Sequence, residues 1–433
     1  MLHLAFTCMA VVPFLATPRV CVAKPPNVVL IVSDDQAWTD FGFMGHPVIR
    51  TPHLDRFAEQ SALFPRGYVP SSLCRPSLAT LISGQYPHQH MITGNDPPKG
   101  TDRREMLRHI RRIPALPRLL AERGYASHQS GKWWEGHYRL GGFTDGMTHG
   151  DPKRRGRHGD EGLKIGREGM QPVFDFIDRS EGEPFFVWYA PFLPHTPHNP
   201  PQRLLEKYTT PERPIELARY YAMCEWFDET CGELLDLLDQ KGLAETTLVA
   251  FAVDNGWIQR TPSTNVEASW RHRFAPKSKR SPYDGGLRTP VMLRWPGRIR
   301  PAIYDTLVST VDIAPTILAA AGHPPHTSMP GINLLEVARA KGQTNRKAVF
   351  GEIFAHDVAA IEDPAASLQF RWCVEDRWKL ILPADRSAPV ELYDLTKDPQ
   401  EEQNLAAANA AVVRRLQTMT DQWWAAQPRA KDR

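Results

Sequence analysis

The chain has 433 residues, of which 42% are hydrophobic and 23% charged, with a net charge of +3. That is enough chain for one large domain and a smaller one, and the charge is too small and too mixed for a nucleic-acid-binding surface. Proline (39) and histidine (16) are both abundant, which predicts many fixed loops and a polar cleft.

Leu4 to Leu15 form an apolar run too short to span a bilayer, and Cys21-Val22-Ala23 places small residues before Lys24. The pattern predicts a signal peptide over 1–23 and export to the periplasm or the extracellular space, with no integral membrane contact. The mature chain keeps Cys74, Cys224, Cys231 and Cys373. Cys224 and Cys231 fall too far apart along a predicted helix for an unstrained bridge, so no essential disulfide is expected.

Asn27 to Ser33 is a continuous apolar, β-branched run, the pattern of a strand buried on both faces of an α/β sheet. Asp34 and Asp35 follow at once. Two carboxylates at the end of such a strand repel each other and are costly to desolvate, so they call for a cation or a set of hydrogen-bond donors. Thr51 to Gln60 predicts a helix behind a proline turn. Beyond it, Cys74-Arg75-Pro76 reads as the entry to another helix, with the sulfur at its positive end. A free cysteine is most often a small buried hydrophobe, yet this end of a helix also attracts anions.

Ile113 to Gly124 predicts an amphipathic helix, and Tyr125 to Trp134 a short strand ending at Lys132 between aromatics. Gly141 to Gly169 lacks periodicity and reads as a long loop over the site, with His149, His158 and Asp160 as solvated polar groups or substrate contacts. Pro184 to Ala190 is a second buried strand, and its exit, Pro191 to His198, holds His195 and His198 among three prolines. Leu217 to Lys241 predicts a long helix with Cys224, Phe227, Cys231, Leu234, Leu235 and Leu238 facing inward.

Thr246 to Val253 repeats the buried-strand pattern and ends in Asp254-Asn255. A second pair of oxygen ligands after a second buried strand is what one hard cation needs, and calcium fits that ligand set. Asn265 to Ser281 is a basic loop carrying Arg271, Arg273, Lys277, Lys279 and Arg280, either solvated or facing an anion. Val311 to Leu318 begins the last helix of the main body. Beyond Pro330, alternating segments such as Phe370 to Val374 and Trp378 to Leu382 predict an antiparallel sheet, closed by a helix over Ala407 to Trp424. The division is therefore a main domain over 24–330, holding every candidate site residue, and an α+β subdomain over 331–433.

Side by side, these stretches resemble the sulfatases of the alkaline-phosphatase-like superfamily, in the family's order and over nearly all of the mature chain. Asp34-Asp35 resembles the first metal pair, Cys74-Arg75-Pro76-Ser77 the nucleophile signature, Gly131-Lys132-Trp133 the Gly-Lys-Trp motif, and Pro194-His195-Thr196-Pro197 the Pro-His-x-Pro motif. Asp254-Asn255-Gly256 resembles the second metal pair, and Lys279 with Tyr283 to Arg288 the Lys…Glu-Gly-Gly-x-Arg segment. Glu391 to Leu395, with Asp398-Pro399 and Asn404-Leu405, resembles the C-terminal signature.

The resemblance implies an α/β fold: a large mixed, mostly parallel sheet sandwiched by helices, with a smaller C-terminal antiparallel sheet plus helix. It implies an arylsulfatase-type enzyme in which a formylglycine-generating maturation enzyme converts Cys74 to an aldehyde. One hydroxyl of the aldehyde hydrate attacks sulfur, and the other then expels sulfate. Asp34, Asp35, Cys74, Asp254 and Asn255 are the implied ligands of one Ca2+. His195 is the implied acid for the departing alcohol, and Lys132 and Lys279 the implied holders of the sulfate oxygens. The implied substrate is a sulfated small molecule or polysaccharide fragment.

Two positions depart from the family pattern: Leu78 stands where the nucleophile signature ends in Arg, and Trp134 where Gly-Lys-Trp is followed by His. Arg75 is the candidate to stand in for the first, and His137 or a loop histidine for the second. Asp284 replaces Glu more mildly. The competing readings are a phosphate or phosphonate ester hydrolase using the same site, and a catalytically weakened homologue that binds sulfated glycans.

Overall fold

The computed structural model describes residues 24–426, so the expected signal peptide, 1–23, lies outside the described residues. Among the described residues no helix is long and apolar enough to cross a membrane. In chain order the strands of the main sheet are β1 (Asn27–Ser33), β2 (Ala62–Tyr68), β3 (Ala126–Gly131), β4 (Asp145–Gly146), β5 (Phe185–Ala190), β6 (Thr247–Val253), β7 (Arg288–Arg294), β8 (Ala302–Ile303) and β9 (Val308–Ser309). Their spatial order is β4-β3-β5-β1-β6-β7-β2-β8, with β9 also on β2. β1 runs parallel to both β5 and β6 at the middle, and β7 is antiparallel to its neighbours β6 and β2.

The period of two along a strand explains the layering. Val28, Leu30 and Val32 of β1 enter one core with Leu81 and Ile82 of the Cys74–Ser83 helix and Ile317 of the Ile313–Ala320 helix. Val29 and Ile31 enter the opposite core with Phe57, Phe176, Phe227 and Leu234, which lie on three other helices. Both faces of β1 are thus covered, as its unbroken apolar run requires. The long helix spans Ile215–Gln240, and all six residues expected to face inward are buried.

One expected element is shorter than its pattern. The α-helix covers only Leu116–Ala121, because Pro117 sits in its first turn and Ala115 is extended ahead of it; a proline ring further inside would clash with the preceding turn. The 141–169 loop is irregular as expected, apart from β4, which adds an edge to the sheet, and short 3-10 turns.

β10 (Ala348–Phe354), β11 (Leu368–Glu375), β12 (Trp378–Pro383) and β13 (Glu391–Asp394) form the antiparallel second sheet. The Ala410–Trp423 helix covers one face through Leu416. The other face packs Trp372, Val374 and Ile381 against Tyr68, Val69 and Leu287 of the main body. A buried Lys379 ties the two together, 2.7 Å from Asp284 and 2.8 Å from Glu401. The small sheet therefore braces the Lys279–Arg288 segment.

Candidate active site

The ends of β1 and β6 are bonded to each other. The Asp254 N–H donates to the Ser33 carbonyl at 2.9 Å, and the Asp35 N–H to Asp254 Oδ1 at 3.0 Å. Asp35 adopts a left-handed φ of 63°, an uncommon conformation for a residue with a side chain. This knot sets Asp34, Asp35, Asp254 and Asn255 around one point, with the Asn255 amide donating to Asp35 Oδ1 at 2.6 Å.

Four other segments close on that point. Lys132 follows Gly131, whose φ is +83° and where a Cβ would stand 1.9 Å from the Ala190 carbonyl, so only glycine lets β3 end this close to β5. The Lys132 ammonium bonds to Asp34 and reaches Asp254 Oδ2 at 3.3 Å. The Lys279 ammonium bonds to Asp35 and lies 3.1 Å from Cys74 Sγ. His195 Nε2 is 3.4 Å from Asp35 Oδ2, while its Nδ1 meets the Thr196 carbonyl at 2.6 Å. Cys74 is the first residue of its helix and only 1% exposed. All eight residues singled out by sequence thus converge in one buried cluster.

Three carboxylates here face two ammoniums. Burial pushes Asp34 well above the usual carboxylate range, with Asp254 adding to the shift and Lys132 opposing it. Burial also raises Asp35, but Lys279 and His195 outweigh it and hold that carboxyl below the usual range. Burial raises the Cys74 thiol to about 11 against the pull of both lysines, so the unmodified sulfur is a poor nucleophile at neutral pH. Burial lowers His195 well below its ordinary value despite Asp35.

Three oxygens in the cluster, Asp34 Oδ2, Asp35 Oδ2 and Asn255 Oδ1, are buried with no hydrogen-bond partner. Buried lone pairs are costly unless something binds them, and hard oxygens of this kind suit a hard cation. Asp34, Asp35, Cys74 and His195 also offer ligand atoms within 4.8 Å of one another. Asp254 differs: its two oxygens already accept from the Asp35 N–H and Lys132.

The candidates for the two departures separate clearly. Arg75 does not turn toward Cys74. Its Nε and Nη2 donate to Glu135 at 2.7 and 2.9 Å, and its remaining bonds go to the Gly94 and Met106 carbonyls. Leu78 is simply core. His137 caps the turn at Arg139 and packs on Tyr138, so its ring is committed there. His158 comes in from the loop: its ring lies 4.5 Å from Trp134 and 6.0 Å from Phe192, which stacks on His195 at 4.1 Å. Asp160 is structural, accepting from the His149, Asp151 and Glu161 N–H groups.

Sequence reading passed over Glu135 and Arg167. Arg167 donates to the Phe192 and His195 carbonyls and to Asn199, fixing the histidine loop. Neither residue belongs to a motif, and only the fold brings them to their partners.

Residues 26–323 match the family described as Sulfatase. The chain belongs to the sulfatase family. Residues 272–425 match the family described as N-sulphoglucosamine sulphohydrolase, C-terminal. This sulfatase is 28% identical to arylsulfatase A of Homo sapiens, over 90% of this chain and 85% of that protein. It is 30% identical to N-acetylgalactosamine-6-sulfatase of Canis lupus familiaris, over 76% of this chain and 68% of that protein. These relatives make it a sulfuric ester hydrolase. The fold is shared with Ps i-CgsB, also solved with k-i-k-neocarrahexaose, at a TM-score of 0.73 and 22% identity, covering 93% of this chain and 94% of that one. It is shared too with the phosphonate monoester hydrolase of Agrobacterium radiobacter, at a TM-score of 0.70 and 20% identity, covering 94% and 97%.

Proposed function

We propose that this sulfatase cleaves the sulfate ester of an exported saccharide or small alcohol, using a formylglycine made from Cys74 and one Ca2+. The observation that carries the reading is the set of three buried oxygens that accept no hydrogen bond, beside a cysteine held by Lys279. Asp34, Asp35 and Asn255, with Asp254 and residue 74, are the residues to hold the ion. Calcium and the hydrated aldehyde together supply a hydroxyl nucleophile of lowered pKa beside a screened sulfate.

The chain's own groups account for the rest. Lys132 and Lys279 hold positive charge where sulfate oxygens must lie, and burial in low dielectric makes that charge effective on a developing anion. His195 presents Nε2 to the leaving oxygen while Nδ1 is held by the Thr196 carbonyl, so the transferred proton sits on Nε2. Burial alone leaves His195 uncharged at neutral pH, and the negative charge of a bound sulfate ester favours its protonation, so the substrate itself would charge the acid. Residues 24–330 carry this machinery, and 331–433 brace it through Lys379. Processing of 1–23 and export belong to the same reading.

The test is the mass of the tryptic peptide Gly67 to Lys99 together with rates on sulfate, phosphate and phosphonate esters. An aldehyde or its hydrate at position 74 and faster sulfate turnover are expected. An intact thiol in protein that turns over phosphonate faster transfers the site to the second reading, which the fold shared with a phosphonate monoester hydrolase motivates. Tight binding of sulfated glycans by aldehyde-bearing protein without turnover makes it a binding homologue.

A further inference from the structure

We propose that the cavity between the first turns of the Ile215–Gln240 helix and the 259–273 loop is a second anion site, holding a sulfate or carboxylate on the sugar next to the ester being cleaved. The proposal rests on the hydrolase reading above and narrows its substrate to an oligosaccharide bearing more than one anionic group.

The cavity has a volume of about 410 Å³, and its lining includes Arg219, Arg260, Arg271 and Arg273 with Glu216 as its single acid. That volume falls in the range that holds a small ligand. Among the described residues none of the four arginines lies within ion-pair distance of a carboxylate, whereas other surface arginines such as Arg203 and Arg371 are paired, with Glu229 and Asp421. Arg260 donates to the Trp270 and His272 carbonyls at 3.0 and 3.2 Å and so shapes the loop. Arg219, Arg271 and Arg273 are exposed, with free donors. Gathering like charges around a concavity is unfavourable unless an anion offsets them, and the guanidinium fork matches sulfate and carboxylate oxygens.

The cavity adjoins the reactive cluster. His198 lines it, and the His198 ring lies 6.0 Å from Trp257. The Trp257 ring is in turn 5.8 Å from the Lys279 ammonium that holds Cys74. Burial brings His198 down to about 4, so at neutral pH it is an uncharged wall rather than a fifth cation. His198 and Trp257 thus stand between the cavity and the ester site, the side from which a neighbouring sugar would enter it.

The test compares R271Q/R273Q with R300Q/R339Q, which removes two exposed arginines outside the cavity. Calorimetric titration with a heparin-derived hexasaccharide is expected to weaken at least about tenfold, with a shallower salt dependence, in the first variant only. R219Q, on the helix side, should shift binding in the same direction. Hydrolysis of 4-nitrophenyl sulfate, which has one anionic group, should stay within about twofold in all three, as expected for rim charges distant from the chemistry. Equal losses in both double variants, or none in R271Q/R273Q, overturn the proposal. Because the titration needs no turnover, a wild-type protein that releases sulfate from neither 4-nitrophenyl sulfate nor the hexasaccharide counts against the hydrolase reading, while the titration still decides the cavity.

Discussion

Two neighbouring residues, Cys74 and Arg75, look into two different kinds of buried charge. Arg75 meets Glu135 one to one, each carboxylate oxygen accepting a guanidinium N–H and both side chains nearly inaccessible. Cys74 meets three carboxylates and two ammoniums, with oxygens left unpartnered. The first cluster is closed and explains itself as structure. The second is complete only with something added, and that incompleteness is what separates a site from a brace.

The contrast can be broken from the closed side first. Glu135→Ala leaves a buried guanidinium without its counter-charge and should cost about 3–5 kcal/mol, read as a lowered urea midpoint. Asp34→Asn should leave metal-free stability nearly unchanged, since Lys132 keeps Asp254 at 3.3 Å and burial already opposes the charge removed, while cutting turnover at least about 10²-fold. A small stability loss for Glu135→Ala, or a large one for Asp34→Asn, would erase the distinction. Calcium sharpens it: at a free concentration about 100 times Kd, the ion should add about 2.7 kcal/mol to the wild type and nothing to Asp34→Asn, measured by thermal unfolding with and without chelator.

A third buried carboxylate has donors but no cation. Asp228 accepts the His53 and Leu54 N–H groups at 3.2 and 2.7 Å, and burial pushes it up to about 8. Its folded pKa lies above the unfolded value of 3.8, so the stability carried by its proton is whole below about 3.8 and is lost as pH rises through about 8. Asp228→Asn should flatten the decline in urea midpoint across that range. The smallest effect belongs to the exposed pair Arg203–Glu229, where Glu229→Gln should cost less than about 1 kcal/mol despite its two 2.6 Å contacts.

The open cluster was far more legible in the sequence than the closed one. Asp34-Asp35 and Asp254-Asn255 announce themselves because each ends an unbroken apolar run, and a buried parallel strand delivers its last residues to one edge of the sheet. Lys132, His195 and Lys279 carry no such signal, and only the resemblance singled them out. Glu135 lies in no motif and is far from Arg75 in the chain, so the direction of Arg75 could not be read. The same is true of His158, which reaches Trp134 through an aperiodic loop. The Ile113–Gly124 pattern overran at its front end because apolar periodicity was followed back past Pro117, which backbone chemistry confines to a first turn.

The near-complete burial of Cys74 sets an order of events. On the proposed reading, an enzyme that converts this side chain to an aldehyde would have no access to it in the finished fold and would act on the nascent or unfolded chain. The contact that seals the sulfur comes from Lys279, 205 positions later, and long-range closures of that kind form late. Translation and folding therefore give a modifying enzyme a time window, and a variant that folds faster around residue 74 would emerge less fully modified.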